Sequence, residues 1–387
     1  MAVSAIARAS LLSAVPLHVP SPSQRSAIEA PPGPSLVLAG PGAGKTFCLI
    51  ERIRYLIEQL DIEPSRICAF TFTNKAADEI ATRLSRRLGE RAEGVKRRTL
   101  HAFCAELLRE YGSHVNLAAG FGIADEDYQQ TVLRRIAGNG SHHRKTLTRF
   151  SVHRLRGDQL YADDARLFLR YEEFLTKRNV VDFDTLVVKA AELLEKTTAA
   201  VEIRSRWHAL LVDEFQDLNP VQYRVLYALA HEHRHVFAVG DDEQSIYAWA
   251  GADPRAFKSF VNDFGITQPV YLRENRRCPR HVFDLARRLI ALNPPIFENR
   301  EVPLADRTSP FDVAAVQFDS DDTEVEWIVN DIASDRALHG HTLGDIAVLY
   351  RKHEIGDQLE AALLNAGIPC RLAQGADFER TQCHPNL

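Results

Sequence analysis

The stretch Leu36-Val37-Leu38-Ala39-Gly40-Pro41-Gly42-Ala43-Gly44-Lys45-Thr46 decides the fold. Three apolar residues run into a glycine-rich loop, and Phe47, Ile50, Ile53, Ile57 and Leu60 then recur at three- and four-residue intervals. This is the pattern of a buried strand, a tight turn and an amphipathic helix. Glycines at 40, 42 and 44 let backbone N–H groups curl around an anion, and the helix N-terminus adds its positive end. Lys45 can reach the β- and γ-phosphates of ATP, and the Thr46 hydroxyl can hold Mg²⁺. The strict G-x-x-x-x-G-K-[ST] pattern fails at its first position, Ala39, and the competing reading is a glycine-rich turn that binds nothing.

Outward from this loop, short apolar runs alternate with helical patterns, which predicts a parallel α/β sheet. Arg66 to Phe72 reads as a strand and Asn74 to Leu88 as a helix capped by Asn74. Further strands are expected at 209–212, 235–239, 269–272 and 346–350. From about 105 to 198 the pattern is helical, as for an insertion. Leu211-Val212-Asp213-Glu214-Phe215-Gln216-Asp217 supplies the acidic partner that a phosphate loop needs. Asp213 is placed for the Mg²⁺ shell and Glu214 as the base for an attacking water. Gln244 follows another apolar strand and an acidic turn, where an amide can sense the γ-phosphate. Phe72, Tyr247 and Trp249 are candidate stacking surfaces for the bases of a single strand; ordinary core packing is the competing reading for each.

The 387 residues are 45% hydrophobic and 26% charged, which excludes a disordered or fibrous chain. No apolar run approaches the ~20 residues that span a bilayer, so no membrane partner is expected. Six scattered cysteines without a C-x-x-C pair argue against a disulfide framework and suggest a reducing, cytoplasmic setting. Lys and Arg number 47 against 52 Asp and Glu, so nucleic-acid binding depends on local patches. Tyr128 to Gly157 contains seven Lys or Arg and no acid, which makes it a candidate for phosphate-backbone contact.

Taken in order, these motifs resemble those of superfamily 1A DNA helicases of the UvrD/PcrA/Rep type, over roughly residues 20–380. Ser23-Gln24-Arg25 is similar to the Q motif, and Ala39 to Thr46 to the family's A-G-x-G-x-G-K-T loop. Residues 69–77 and 99–103 are similar to motifs Ia and Ib, 182–186 to the D-F-D-D-L segment with Thr185 in place of Asp, 212–219 to motif II and 239–249 to motif III. The resemblance implies a RecA-like P-loop NTPase sheet with an α-helical insertion, followed by an incomplete second RecA-like domain. It implies an ATP- and Mg²⁺-dependent 3′-to-5′ motor acting on single-stranded DNA and single/double-strand junctions. Gln24 would read adenine, with Arg25 and Arg52 near the nucleotide. Phe72, Thr73, Asn74, His101, Tyr247 and Trp249 would line the DNA track.

Motif IV reads Leu272-Arg273-Glu274-Asn275-Arg276-Arg277-Cys278. Arg277 matches the arginine that reaches the γ-phosphate, and Arg276 stands where the family has a stacking tyrosine. Ala250 stands where motif III often carries arginine. Motifs V and VI do not appear, and with them goes the expected arginine finger. The implied organisation is a leader at 1–19, an ATP-binding domain at 20–104 and 199–268, an insertion at 105–198 and a partial second domain at 269–387. This predicts a motor incomplete for unwinding, with a partner chain able to supply the missing motifs. The rival readings are a module that binds ATP and DNA without turnover, and an unrelated P-loop kinase or transporter ATPase.

Overall fold

The computed structural model describes residues 19–372 except 139–141, 233–234, 249–250, 298–299, 302 and 311. The chain divides into two compact units at Asp312/Val313. Strands of the first unit are β1 (Ser35–Ala39), β2 (Ile67–Thr71), β3 (Lys96–Thr99), β4 (Gly122–Ala124), β5 (Val180–Asp182), β6 (Ala209–Val212), β7 (Val236–Gly240), β8 (Val270–Leu272), β9 (Glu274–Asn275) and β10 (Leu304–Ala305). Its helices are α1 (Pro22–Ile28), α2 (Lys45–Glu58), α3 (Asn74–Leu88), α4 (Leu100–Tyr111), α5 (Glu126–Ala137), α6 (His143–Arg156), α7 (Ala162–Thr176), α8 (Phe183–Lys196), α9 (Ala199–Ser205), α10 (Pro220–Ala230), α11 (Ala256–Phe264) and α12 (Arg280–Ile290).

Six strands form one parallel sheet in the order β3-β2-β6-β7-β1-β8. Helices cover both faces, so the central strands read as continuous apolar runs. One core packs Leu36 and Leu38 with Phe70, Phe103 and Phe257; the other packs Val37 and Ala39 with Leu49, Ile53 and Ile57 of α2. Each of these Val, Leu, Ile and Phe side chains, fully buried, contributes about 1.5–3 kcal/mol. The sheet thus places the C-terminal ends of β1, β6 and β7 side by side, the edge where open α/β sheets bind ligands.

Several expectations change in the first unit. The helix after β2 is capped by Thr73, whose Oγ1 accepts the Ala76 N–H, and Asn74 is its first helical residue. The β signal persists inside the insertion, where β4 pairs with β5 in a small parallel sheet. Helices α5, α6 and α7 share a satellite core of Ala124, Val132, Leu133, Phe150, Tyr171 and Leu175. Helices α4 and α8 belong to the main core, so the separate body is narrower than 105–198. Finally, β8 completes the first sheet, which carries the first unit past residue 269.

The second unit holds α13 (Asp321–His339) and α14 (His353–Asn365), joined through Ile332, Leu363 and Ile368. Residues 346–350 form no strand, contrary to the apolar pattern, and Leu349 is 94% exposed. Ile332, Val348, Leu359 and Leu363 line a groove of about 820 Å³. Residues 1–18 of the expected leader and 373–387 of the expected second domain lie outside the described residues.

Candidate nucleotide and strand site

The loop between β1 and α2 is built on two left-handed glycines, Gly42 (φ +72°) and Gly44 (φ +89°). A Cβ on Gly42 would lie 2.5 Å from Arg277 Cβ and 2.9 Å from Asn275 Oδ1; one on Gly44 would lie 2.8 Å from Gln24 Nε2. The loop is thus gripped from both sides. Lys45 Nζ donates to the Ala39 carbonyl at 3.3 Å, across the loop that Pro41 and Ala43 complete. The first-turn N–H groups of α2 have no intrahelical acceptors, as at any helix start.

Motif II arrives from the next strand but one. The Thr46 hydroxyl donates to Asp213 Oδ2 at 3.2 Å, which joins the two residues expected to hold the metal. Asp213 is 5% exposed. Burial pushes its carboxyl up to about 6 and Glu214 adds to the rise, while the Glu214 N–H, Lys45 and Thr46 oppose it. Glu214 itself sits at φ +50°, in the left-handed region that non-glycine residues rarely adopt. Such strain persists where surrounding contacts hold it, and here Gln216 Nε2 donates to Glu214 Oε2 at 2.8 Å. Gln216 Oε1 also accepts the Asp241 N–H at 2.9 Å, so one amide ties motif II to motif III. No sequence pattern marks this role of Gln216. Gln244 Nε2 donates to Asp241 Oδ2 at 2.5 Å.

Motif IV closes the site. Asn275 Oδ1 accepts the N–H groups of Arg277 and Cys278, and the Arg276 N–H donates to the Gly42 carbonyl at 3.1 Å. The turn lies directly on the phosphate loop, which puts the exposed Arg277 beside it. Arg307, unmarked by any motif, donates to the Arg277 carbonyl at 2.8 Å.

Three expected nucleotide contacts are placed differently. Arg52 is 3% exposed and donates to the carbonyls of Ile28 and Ala30 at 2.8 and 2.5 Å. Its guanidinium also lies 5.9 Å from the Phe237 ring, so it faces the N-terminal edge of the sheet, opposite the phosphate loop. Gln24, expected to read adenine, is 1% exposed with both amide ends engaged. Its Oε1 accepts the Ser21 N–H at 3.0 Å and its Nε2 donates to the Ala43 carbonyl at 2.9 Å, which braces the loop. Arg25 is exposed and pairs with Glu29 at 3.8 Å.

Two of the aromatic candidates, Phe72 and Tyr247, meet on the same sheet edge. Phe72, 40% exposed after β2, stands 4.9 Å from the Tyr247 ring with 33° between planes. Thr73 and Asn74 are exposed beside it. His101, the second residue of α4, has its ring 6.0 Å from Phe183, and burial lowers its imidazole pKa. Trp249 and Ala250 lie outside the described residues.

The acid-free run is not bare in space. Arg144 meets Glu126, Arg149 meets Asp164, and Arg154 is enclosed by Glu172, Asp182 and Asp184. Arg156 donates to the carbonyls of Ala248 and Ala252 at 2.6 and 2.9 Å.

No helix among the described residues is long and apolar enough to cross a membrane. The model of the UvrD/REP helicase N-terminal domain matches residues 21–265, and that of the UvrD-like helicase C-terminal domain matches residues 270–384. The chain is 28% identical over 377 residues to the ATP-dependent DNA helicase PcrA of Staphylococcus epidermidis, covering 92% of this chain and 51% of that protein. It is 28% identical over 374 residues to PcrA of Staphylococcus aureus, with the same coverage. The chain spans about half the length of the curated relatives it matches. With two family models in series and the phosphate loop, acidic pair and motif IV turn assembled on one sheet edge, this chain belongs to the UvrD/REP helicase family.

Proposed function

We propose that this chain is the ATP-binding and strand-gripping part of a 3′-to-5′ DNA helicase motor. The observation that carries the reading is the 3.2 Å bond between Thr46 Oγ1 and Asp213 Oδ2, which brings the Lys45-Thr46 pair against the acidic pair. Hydroxyl and carboxylate oxygens are the hard donors that Mg²⁺ prefers, so this set fits the ion. Thr46 and Asp213 would hold Mg²⁺, which when bound supplies charge neutralisation at the phosphates. Lys45 binds the β- and γ-phosphates, and the amides of the loop cradle them. Glu214, held by Gln216, orients the attacking water and takes its proton. Gln244 and Arg277 sense the γ-phosphate. Phe72 and Tyr247 offer stacking faces on the same edge, a mode that tolerates any base sequence. Three-to-five polarity rests on the family resemblance.

The test is ATP hydrolysis by the purified chain with and without single-stranded DNA. Stimulation by DNA, abolished by Lys45→Ala, supports the motor reading, and Phe72→Ala should weaken strand affinity about tenfold. Binding of both ligands with turnover at background would favour a binding module instead. Absence of nucleotide binding would overturn both.

A further inference from the structure

The acidic turn after β7 holds a guanidinium that the nucleotide chemistry above does not use. Arg300 is only a tenth exposed and reaches back 59 residues in sequence to this turn. Its Nη2 donates to Asp241 Oδ1 at 2.7 Å and its Nη1 to Asp242 Oδ1 at 2.5 Å, with Glu243 Oε2 at 3.1 Å. Asp241 is fully buried, and its other oxygen, Oδ2, accepts the Gln244 amide. A side-chain amide nitrogen carries two N–H groups. With one bound to Asp241, the second and the Oε1 are left for a phosphate and a water.

We propose that Arg300 is a positioning residue: its fork fixes the Asp241 carboxylate, and that carboxylate sets the Gln244 amide toward the terminal phosphate. The inference rests on Gln244 being the γ-phosphate sensor. One guanidinium bonds both buried acids, so the Asp241 carboxylate is held from the side opposite Gln244 by one rigid plane. Burial pushes the Asp242 carboxyl up to about 6; Arg300 opposes the rise, and Asp241 and Glu243 add to it. Lysine would supply the charge but not two parallel bonds in a fixed plane. The backbone N–H of the same Asp241 donates to Gln216, which in turn bonds Glu214, so the sensor and the base share one support.

The experiment titrates the full chain with Mg²⁺ and either ADP or a non-hydrolysable ATP analogue. The wild type should prefer the ATP analogue. Arg300→Ala should reduce that preference about tenfold, as for the loss of one charge-assisted hydrogen bond, with ADP affinity within about twofold. Arg300→Lys should fall between. On a Gln244→Ala background neither Arg300 change should reduce the preference further, because both act through one amide. Unchanged preference, additive losses, or an equal loss for ADP would each overturn the proposal. If Arg300→Ala does not fold, Arg300→Lys and its cycle with Gln244→Ala decide by the same criteria. A wild type that binds neither nucleotide refutes the nucleotide-site reading itself, whereas a preference that ignores Arg300 refutes only the positioning role.

Discussion

Replacing Gly42 by alanine puts a methyl group into the contact between the phosphate loop and the motif IV turn. Its Cβ would meet Arg277 Cβ at 2.5 Å, Arg277 N at 2.9 Å and Asn275 Oδ1 at 2.9 Å. Carbon atoms in contact sit about 3.5–4.0 Å apart, so the turn must retreat by roughly 1 Å. Overpacking of this kind costs about 1–3 kcal/mol. The left-handed φ of +72° adds about 1 kcal/mol for any residue with a Cβ. The sum is about 2–4 kcal/mol. At roughly 2 °C per kcal/mol for a unit of this size, melting should drop by about 4–8 °C in calorimetry. The control is Gly157→Ala, at φ +79° with nothing within 4 Å of its Cβ, which should lose only about 2 °C. Because the displaced turn carries Arg277, Gly42→Ala should also weaken ATP binding. If the two variants melt alike and Gly42→Ala binds ATP as the wild type does, the argument from close approach is wrong.

Arg52→Lys should lower stability by about 1–3 kcal/mol, by leaving the Ile28 and Ala30 carbonyls short of donors, yet leave nucleotide affinity unchanged; a melt and a titration check both halves. Arg154→Ala strands the buried Asp182 with Glu172 and Asp184, a loss of about 3–5 kcal/mol that should appear as faster hydrogen exchange in α5, α6 and α7. Asp217 Oδ1 is buried without a partner, and burial, with Glu214 adding and Lys45 opposing, raises its carboxyl to about 7. A folded-state pKa above the unfolded 3.8 means that folding takes up a proton, so stability is lost as pH rises from about 4 to about 7. Asp217→Asn should therefore gain on the wild type across that window, levelling off above pH 7 at about 2 kcal/mol after allowance for relaxation. Melts at pH 4, 5.5 and 8 test this; a constant offset would refute it.

The central sheet was legible because its strands are buried on both faces and so appear as unbroken apolar runs, β1, β2, β6 and β7 above all. Strand β3 was not, since Lys-Arg-Arg-Thr is an edge strand whose charges face solvent and pair with Glu106. The apolar run at 346–350 misled in the other direction, because a strand needs a neighbour as well as a composition. Within the site, Lys45, Thr46, Asp213 and Glu214 were readable from local spacing, which the βα turns translate directly into position. The roles of Gln24 and Arg52 were not, because motif matching reports a position on a helix and not the direction of the side chain. Arg300 and Arg307 reach the site through tertiary contacts alone, and no local pattern marks them.

The contact of Arg156 with the Ala248 and Ala252 carbonyls has a thermodynamic consequence. The insertion touches the motif III loop at both ends of the segment that follows Tyr247, only a few residues from Gln244. A ligand that shifts the insertion therefore acts on the same loop that carries Gln244, the proposed phosphate sensor. Such an effect must be reciprocal: whatever factor ATP applies to the affinity of the loop for a strand, the strand applies to ATP. Measuring strand affinity with and without ATP therefore also gives the factor by which the strand changes ATP affinity, and Arg156→Ala should bring that factor toward one.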